Sequence, residues 1–145
     1  MILGMDCSIR DVAIVASDGN VLVSMKLPLS LQSDINDVVQ VAKWIVDGLT
    51  ISSYDSIYVD YSYAPMRARR RQTAINTMLI TAIVTRLDIA SYTVDPATIR
   101  KWLGLSARAS KLDVWTQEPY TLGLATEHEK DAYILARYGL EKGIE

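Results

Sequence analysis

The sequence predicts an α/β domain built on a mixed sheet, and three observations carry that prediction. Three short apolar segments, 2–8 (ILGMDCS), 11–17 (DVAIVAS) and 21–27 (VLVSMKL), follow one another with only turn residues between them, the pattern of three antiparallel strands. Apolar residues then recur at helical spacing over 34–49, 69–87 and 127–143. Two further short segments, 56–62 (SIYVDYS) and 89–94 (IASYTV), lie between helical stretches, as parallel strands joined by crossovers do. The expectation is a five-stranded mixed sheet, its first three strands antiparallel, flanked by helices.

Each element has its own local reason. Asp18-Gly19-Asn20 between the second and third segments is a tight hairpin signal. The helix over 34–49 presents Ile35, Val38, Val39, Ala42, Ile45, Val46 and Leu49 on one face, with Gly48 near its end. Asp95-Pro96 opens a short helix over 96–104, with proline in its first turn. Residues 110–117 (SKLDVWTQ) form another, and the last helix runs over 127–143. The 145 residues suffice for one buried core and read as one domain, 1–145.

Half of the residues are hydrophobic and 22% are charged, an ordinary globular balance. Cys7 is the only cysteine, so no disulfide can form within the chain, which fits a reducing, intracellular setting. No histidine follows Cys7 at a partner's spacing, and it reads as a small packing residue. The N-terminus lacks a basic, then apolar, leader, and the most apolar helical stretch is too short to span a bilayer, so no membrane is expected. The net charge of −2 hides a segregation. Residues 1–60 carry a net −5, residues 61–111 a net +7 and residues 112–145 a net −4. A basic middle between acidic ends points to a localised anion-binding face.

The acids are the chemistry-bearing residues. If the first and fourth strands lie side by side and parallel, both end in aspartate, Asp6 and Asp60, where open α/β sheets bind ligands. Two carboxylates there repel, so one stays protonated or a cation lies between them, and an all-oxygen site suits Mg²⁺ or Mn²⁺. Asp131 shares the apolar face of the last helix with Ile134, Leu135 and Tyr138, where an unpaired carboxylate is costly. His128, the only histidine, stands one turn earlier on the same side. Each residue has a plainer reading as well. Asp6 also suits a turn, and His128 also suits an exposed first turn. Glu129, three residues after Thr126, fits a capping box, and Glu127 favours a helix N-terminus. Spacing alone reaches a carboxylate site of two-metal type and no further.

Taken together, four segments resemble the RuvC family of Holliday-junction resolvases, which have an RNase H-like fold. ILGMDCS is similar to the family's first strand with its catalytic aspartate, here Asp6, and IYVDYSYA to the strand bearing its second acid, here Asp60. DPATIRKWLGLSARASKLDV resembles the family's segment of proline, basic pair, glycine and Ala-x-Lys before a helix. HEKDAYILA resembles its closing helix, which makes His128 and Asp131 the remaining members of the site. The family's second acid is commonly glutamate, so Asp60 is one methylene short, and the chain is slightly acidic where relatives are often basic. An aromatic three residues past the second acid helps to open the junction centre in the family, and Tyr63 stands at that offset. The short chain is similar to compact viral relatives, and the expected compartment is the cytoplasm, that of a host if the protein is viral.

The resemblance implies hydrolysis of phosphodiesters in branched, four-way DNA by two ions per site, Mg²⁺ or Mn²⁺. Asp6, Asp60 and Asp131 would be ligands and His128 a ligand or a water-positioning base. Tyr63, Arg67, Arg69, Arg70, Arg71, Arg100, Lys101, Arg108 and Lys111 would face DNA, although the run 67–71 also suits a solvated helix start. Two symmetric cuts imply a homodimer. The helical stripe Ile75, Met78, Leu79, Ala82 and Ile83 serves equally as its interface or as core. Two alternatives stand beside this reading: a YqgF-like RNA-processing nuclease, and a catalytically silent nucleic-acid-binding module of the same fold.

Overall fold

A computed structural model of the chain describes residues 1–49, 54–60, 70–117 and 123–143. Within them lie strands β1 (Ile2–Cys7), β2 (Asp11–Ala16) and β3 (Val21–Lys26), helix α1 (Ile35–Asp47), strand β4 (Ser56–Asp60), helix α2 (Arg70–Leu87), strand β5 (Ala90–Val94), and helices α3 (Pro96–Trp102), α4 (Lys111–Trp115) and α5 (Glu127–Gly143). The strands form one sheet in the order β3-β2-β1-β4-β5. β1–β2 and β2–β3 pair antiparallel, while β1–β4 and β4–β5 pair parallel. This is the mixed sheet the sequence predicts.

Alternation along the strands sorts side chains between two layers. Leu3 and Met5 of β1 with Ile57 and Val59 of β4 point toward α1 and α2, where they join Val38, Ala42, Ile45, Ile75, Leu79 and Ile83 in the largest apolar cluster. The intervening residues Gly4, Asp6, Tyr58 and Asp60 take the opposite face, the one α5 covers. Cys7 packs at the edge of the large cluster, and burial, then the nearby charge of Asp6, pushes its thiol pKa up, which suits packing rather than nucleophilic chemistry.

Several predicted details shift. The buried face of α1 is Val38, Val41, Ala42 and Ile45, leaving Ile35 and Val39 exposed. The helix is turned so that its second stripe, with Val41 rather than Val39, meets the sheet. Its start is fixed by a reciprocal capping box between Asp34 and Asp37. α4 is shorter than 110–117: Ser110 caps its start and Thr116 ends it. On α2, Ile75, Leu79 and Ile83 are buried in this chain's own core, so the core reading of that stripe holds for these three. Met78 and Ala82 lie at its margin.

The approach of α5 to the sheet is what places the site. A Cβ on Gly4 would run into the backbone of Ala132 and Ala136, and one on Gly139 would meet the ring of Tyr58. Small residues on both partners therefore let the helix lie directly on β1 and β4. Gly4→Ala has only backbone to push against, so it is expected to destabilise the fold by about 3 kcal/mol or more, read from urea unfolding.

Candidate active site

Three elements bring carboxylates to one end of the sheet. The parallel register sets Met5 opposite Val59, so the next residues, Asp6 and Asp60, close adjacent strand ends. The first turns of α5 pass over that end and add His128 and Asp131. The helix is anchored by Thr126, whose hydroxyl accepts from the Glu129 amide at 3.1 Å and donates to the Glu129 carboxylate at 3.0 Å. Ser24 on β3 donates to the same carboxylate oxygen at 2.8 Å. Glu129 is thus a buried structural acid, as its capping pattern suggests, and takes no part in the cluster.

Each remaining acid has a defined neighbourhood. Asp6 Oδ2 lies 2.7 Å from His128 Nδ1. Asp131 accepts from Lys111 Nζ at 3.0 Å on one oxygen and from the Trp115 indole N–H at 2.8 Å on the other. Asp60 and Asp131 line one small cleft, about 30 Å³, walled by α3, α4 and α5 and holding Arg100 and Lys111.

The electrostatics reflect burial first and the neighbouring acids second. Burial pushes the Asp60 carboxyl up to about 6, with Lys111 opposing and the charges of Asp6 and Asp131 adding. Burial raises Asp6 as well, against its hydrogen bond to His128 and with the charge of Asp131. Burial lowers the His128 pKa, but the hydrogen bond to Asp6 and the charges of Asp6, Asp11 and Asp131 outweigh it, and the net shift is upward.

A metal site was expected here. Among the described residues, no three His, Cys, Asp or Glu side chains converge into a group that could hold an ion. Asp6 is turned to His128, and Asp131 to Lys111 and Trp115. The donors themselves are of the kind a hard divalent cation takes, aspartate oxygens with one imidazole.

The predicted phosphate contacts divide. Arg70, Arg71, Lys101 and Arg108 are exposed, at the start of α2, the last turn of α3 and the α3–α4 connection. Arg100 is not free in the same way: its Nε donates to Ala109 O at 2.7 Å and its Nη1 to Pro96 O at 3.2 Å, tying the connection to α3. Lys111 is ion-paired with Asp131. Tyr63, Arg67 and Arg69 lie outside the described residues.

Asp11, Trp115 and Ser24 were not among the residues singled out from the sequence. Asp11 Oδ2 is 3.4 Å from His128 Nε2. Its signal was available, since any hairpin pairing β1 with β2 returns the start of β2 to the end of β1. Trp115 and Ser24 carry no such signal; their contacts come from helix and strand packing alone.

No protein-family model and no curated protein sequence matches the chain. Solved structures do. The Thermus thermophilus RuvC structure superposes with a TM-score of 0.73 at 17% identity, covering 98% of this chain and 96% of that one. Thermus thermophilus RuvC in complex with Holliday junction substrate gives 0.71 at 16%, covering 99% and 94%. The yeast mitochondrial Holliday junction resolvase Ydc2 gives 0.53 at 11%, covering 94% and 75%. The chain therefore has the RuvC-like, RNase H-like fold along nearly its whole length. Among the described residues no helix is long and apolar enough to cross a membrane.

Proposed function

We propose that this chain is a divalent-metal-dependent endonuclease that resolves four-way DNA junctions by hydrolysing phosphodiesters, as one domain over 1–145. The observation that supports the reading is that the parallel strands β1 and β4 carry Asp6 and Asp60 at the same end of the sheet, with Asp131 of α5 lining a cleft beside Asp60, in a fold shared with RuvC structures over 98% of the chain. One of those structures holds a Holliday junction substrate, and that likeness is the ground for proposing junction DNA here.

Asp6, Asp60 and Asp131 would hold two ions, Mg²⁺ or Mn²⁺, with His128 as a further ligand or as the group that orients the water. Such ions supply an activated water and neutralise charge on the leaving oxygen. His128 Nδ1 shares a hydrogen bond with Asp6 Oδ2 at 2.7 Å. Lys111 neutralises Asp131 in the absence of substrate, and an entering phosphodiester offers its ammonium a second anionic partner. Tyr63 is proposed to stack on a base exposed at the junction centre. Paired cuts call for a two-fold dimer. With Ile75, Leu79 and Ile83 used in the core, its contact is proposed at the open apolar groove of Ile35, Val39, Met78 and Ala82 between α1 and α2.

Arg108, exposed on the α3–α4 connection, is the cleanest phosphate contact. Arg108→Ala is expected to weaken junction binding whatever the sequence and to shallow the log–log salt slope by about 0.9. Binding measured across a salt series checks it; an unchanged slope puts the α3–α4 connection away from DNA.

One observation favours a second reading. The pairing of Asp6 with His128 and of Asp131 with Lys111 and Trp115 gives both carboxylates protein partners, an arrangement a catalytically silent binding module could keep. A cleavage panel of junction, fork, duplex and RNA substrates with Mg²⁺, Mn²⁺ or chelator separates the readings. Metal-dependent junction cleavage is expected. Binding without cleavage decides for the silent module, and preference for RNA for an RNA-processing nuclease.

A further inference from the structure

We propose that Asp11 is a positioning residue for His128: it holds the far ring nitrogen so that the near one faces the carboxylate cluster. The inference rests on reading that cluster as the nuclease centre. His128 stands between two carboxylates from neighbouring strands, with Nδ1 2.7 Å from Asp6 Oδ2 and Nε2 3.4 Å from Asp11 Oδ2.

Local geometry puts Asp11 there. Ser8 N donates to Asp11 O at 2.8 Å, and the Ser8 hydroxyl accepts from the amides of Arg10 and Asp11, closing a tight turn that returns the chain from β1 to β2. Asp11 therefore opens β2 at the end of the sheet where Asp6 closes β1. It does not line the cleft that Asp60 and Asp131 share. Of the other acids on α5, Asp131 is held by Lys111 and Trp115, and Glu129 by Ser24 and Thr126.

The two nitrogens of an imidazole point in different directions, so a hydrogen bond at Nδ1 and a carboxylate 3.4 Å from Nε2 together favour one orientation of the ring. Histidines that serve metal sites commonly give their outer N–H to a carboxylate, which fixes ring orientation and tautomer. Loss of such a partner typically reduces metal affinity or activity about 10–100-fold. Asp11 is placed to be that partner.

Because His128 is the only histidine, its ring signals in ¹H–¹⁵N NMR are unambiguous. They are to be followed in the wild type, Asp11→Ala and Asp11→Asn, metal-free and through a Mg²⁺ titration, alongside junction cleavage. Asparagine still accepts from Nε2–H and alanine does not. Expected for Asp11→Ala are loss of the Nε2–H signal to solvent exchange and a Mg²⁺ midpoint about 10-fold higher or more. A matching fall in kcat at unchanged KM for DNA is expected too, and Asp11→Asn should recover most of each loss. Wild-type ring signals and midpoint in Asp11→Ala overturn the proposal, as does an Asp11→Asn variant no better than Asp11→Ala. A wild-type ring blind to Mg²⁺ overturns the nuclease reading instead, and the metal-free signals still decide the role of Asp11.

Discussion

Asp6→Asn and Asp131→Asn are each expected to reduce junction cleavage about 10³-fold or more while leaving junction binding within a few-fold of the wild type. Each aspartate would supply negative charge to the ions, and metal-ion stabilisation of the transition state is worth several kcal/mol, with about 1.4 kcal/mol per tenfold in rate. Neither is placed to touch phosphate directly: both are half-buried behind His128 or Lys111. The two variants differ in what they release. Asp6→Asn leaves His128 with Asp11 as its nearest carboxylate, whereas Asp131→Asn frees the Lys111 ammonium, which should then tighten DNA binding slightly. Single-turnover cleavage and equilibrium binding on one junction measure both. Wild-type cleavage by Asp6→Asn would end the metal-site reading.

The backbone plan was legible because burial imposes simple periods. β1, β2 and β4 alternate between two buried faces, and their short apolar runs are bounded by turn residues. The parallel pairing of β1 with β4 was conditional on topology, and once it is met the two terminal aspartates follow from register alone. Asp131 was legible for an energetic reason, as a carboxylate on an apolar face needing a partner. Its actual partners were not, because Lys111 and Trp115 reach it from a helix 16 to 20 residues away. Lys111 was read as a phosphate contact from the family resemblance; nothing local indicates that α4 packs across α5. The turn of α1, which buries Val41 and exposes Ile35 and Val39, was missed because its apolar residues wrap more than half the helix. Gly4 and Gly139 say little as sequence, and only the helix crossing them shows that a side chain there is excluded.

Asp60→Asn is expected to stabilise the metal-free protein above pH 6 while eliminating metal-dependent activity. In the folded chain burial raises the Asp60 carboxyl from 3.8 to about 6, with Asp6 and Asp131 adding to the rise against Lys111 and Arg100. A raised carboxyl means that the folded state holds the proton more tightly than the unfolded chain. Its favourable contribution is therefore complete below pH 3.8 and is lost as pH rises to about 6, beyond which it is flat. A shift of that size is worth about 3 kcal/mol at most. Asparagine has no such loss, so the variant's advantage should open between pH 4 and 6 and then hold, reduced by the attraction to Lys111 that it forgoes. His128 produces a separate decline at higher pH. Its raised pKa gives stability that is whole below 6.5 and fades as pH passes the folded value, and it persists in Asp60→Asn. The ions invert the comparison: they need the ionised carboxylate, so Mg²⁺ should raise the melting temperature of the wild type at pH 8 and raise that of Asp60→Asn much less. Thermal melts at pH 5 and pH 8, with Mg²⁺ or with chelator, resolve all four cases. A variant that is no more stable than the wild type at pH 8 without metal would mean that Asp60 is not the strained member of the cluster.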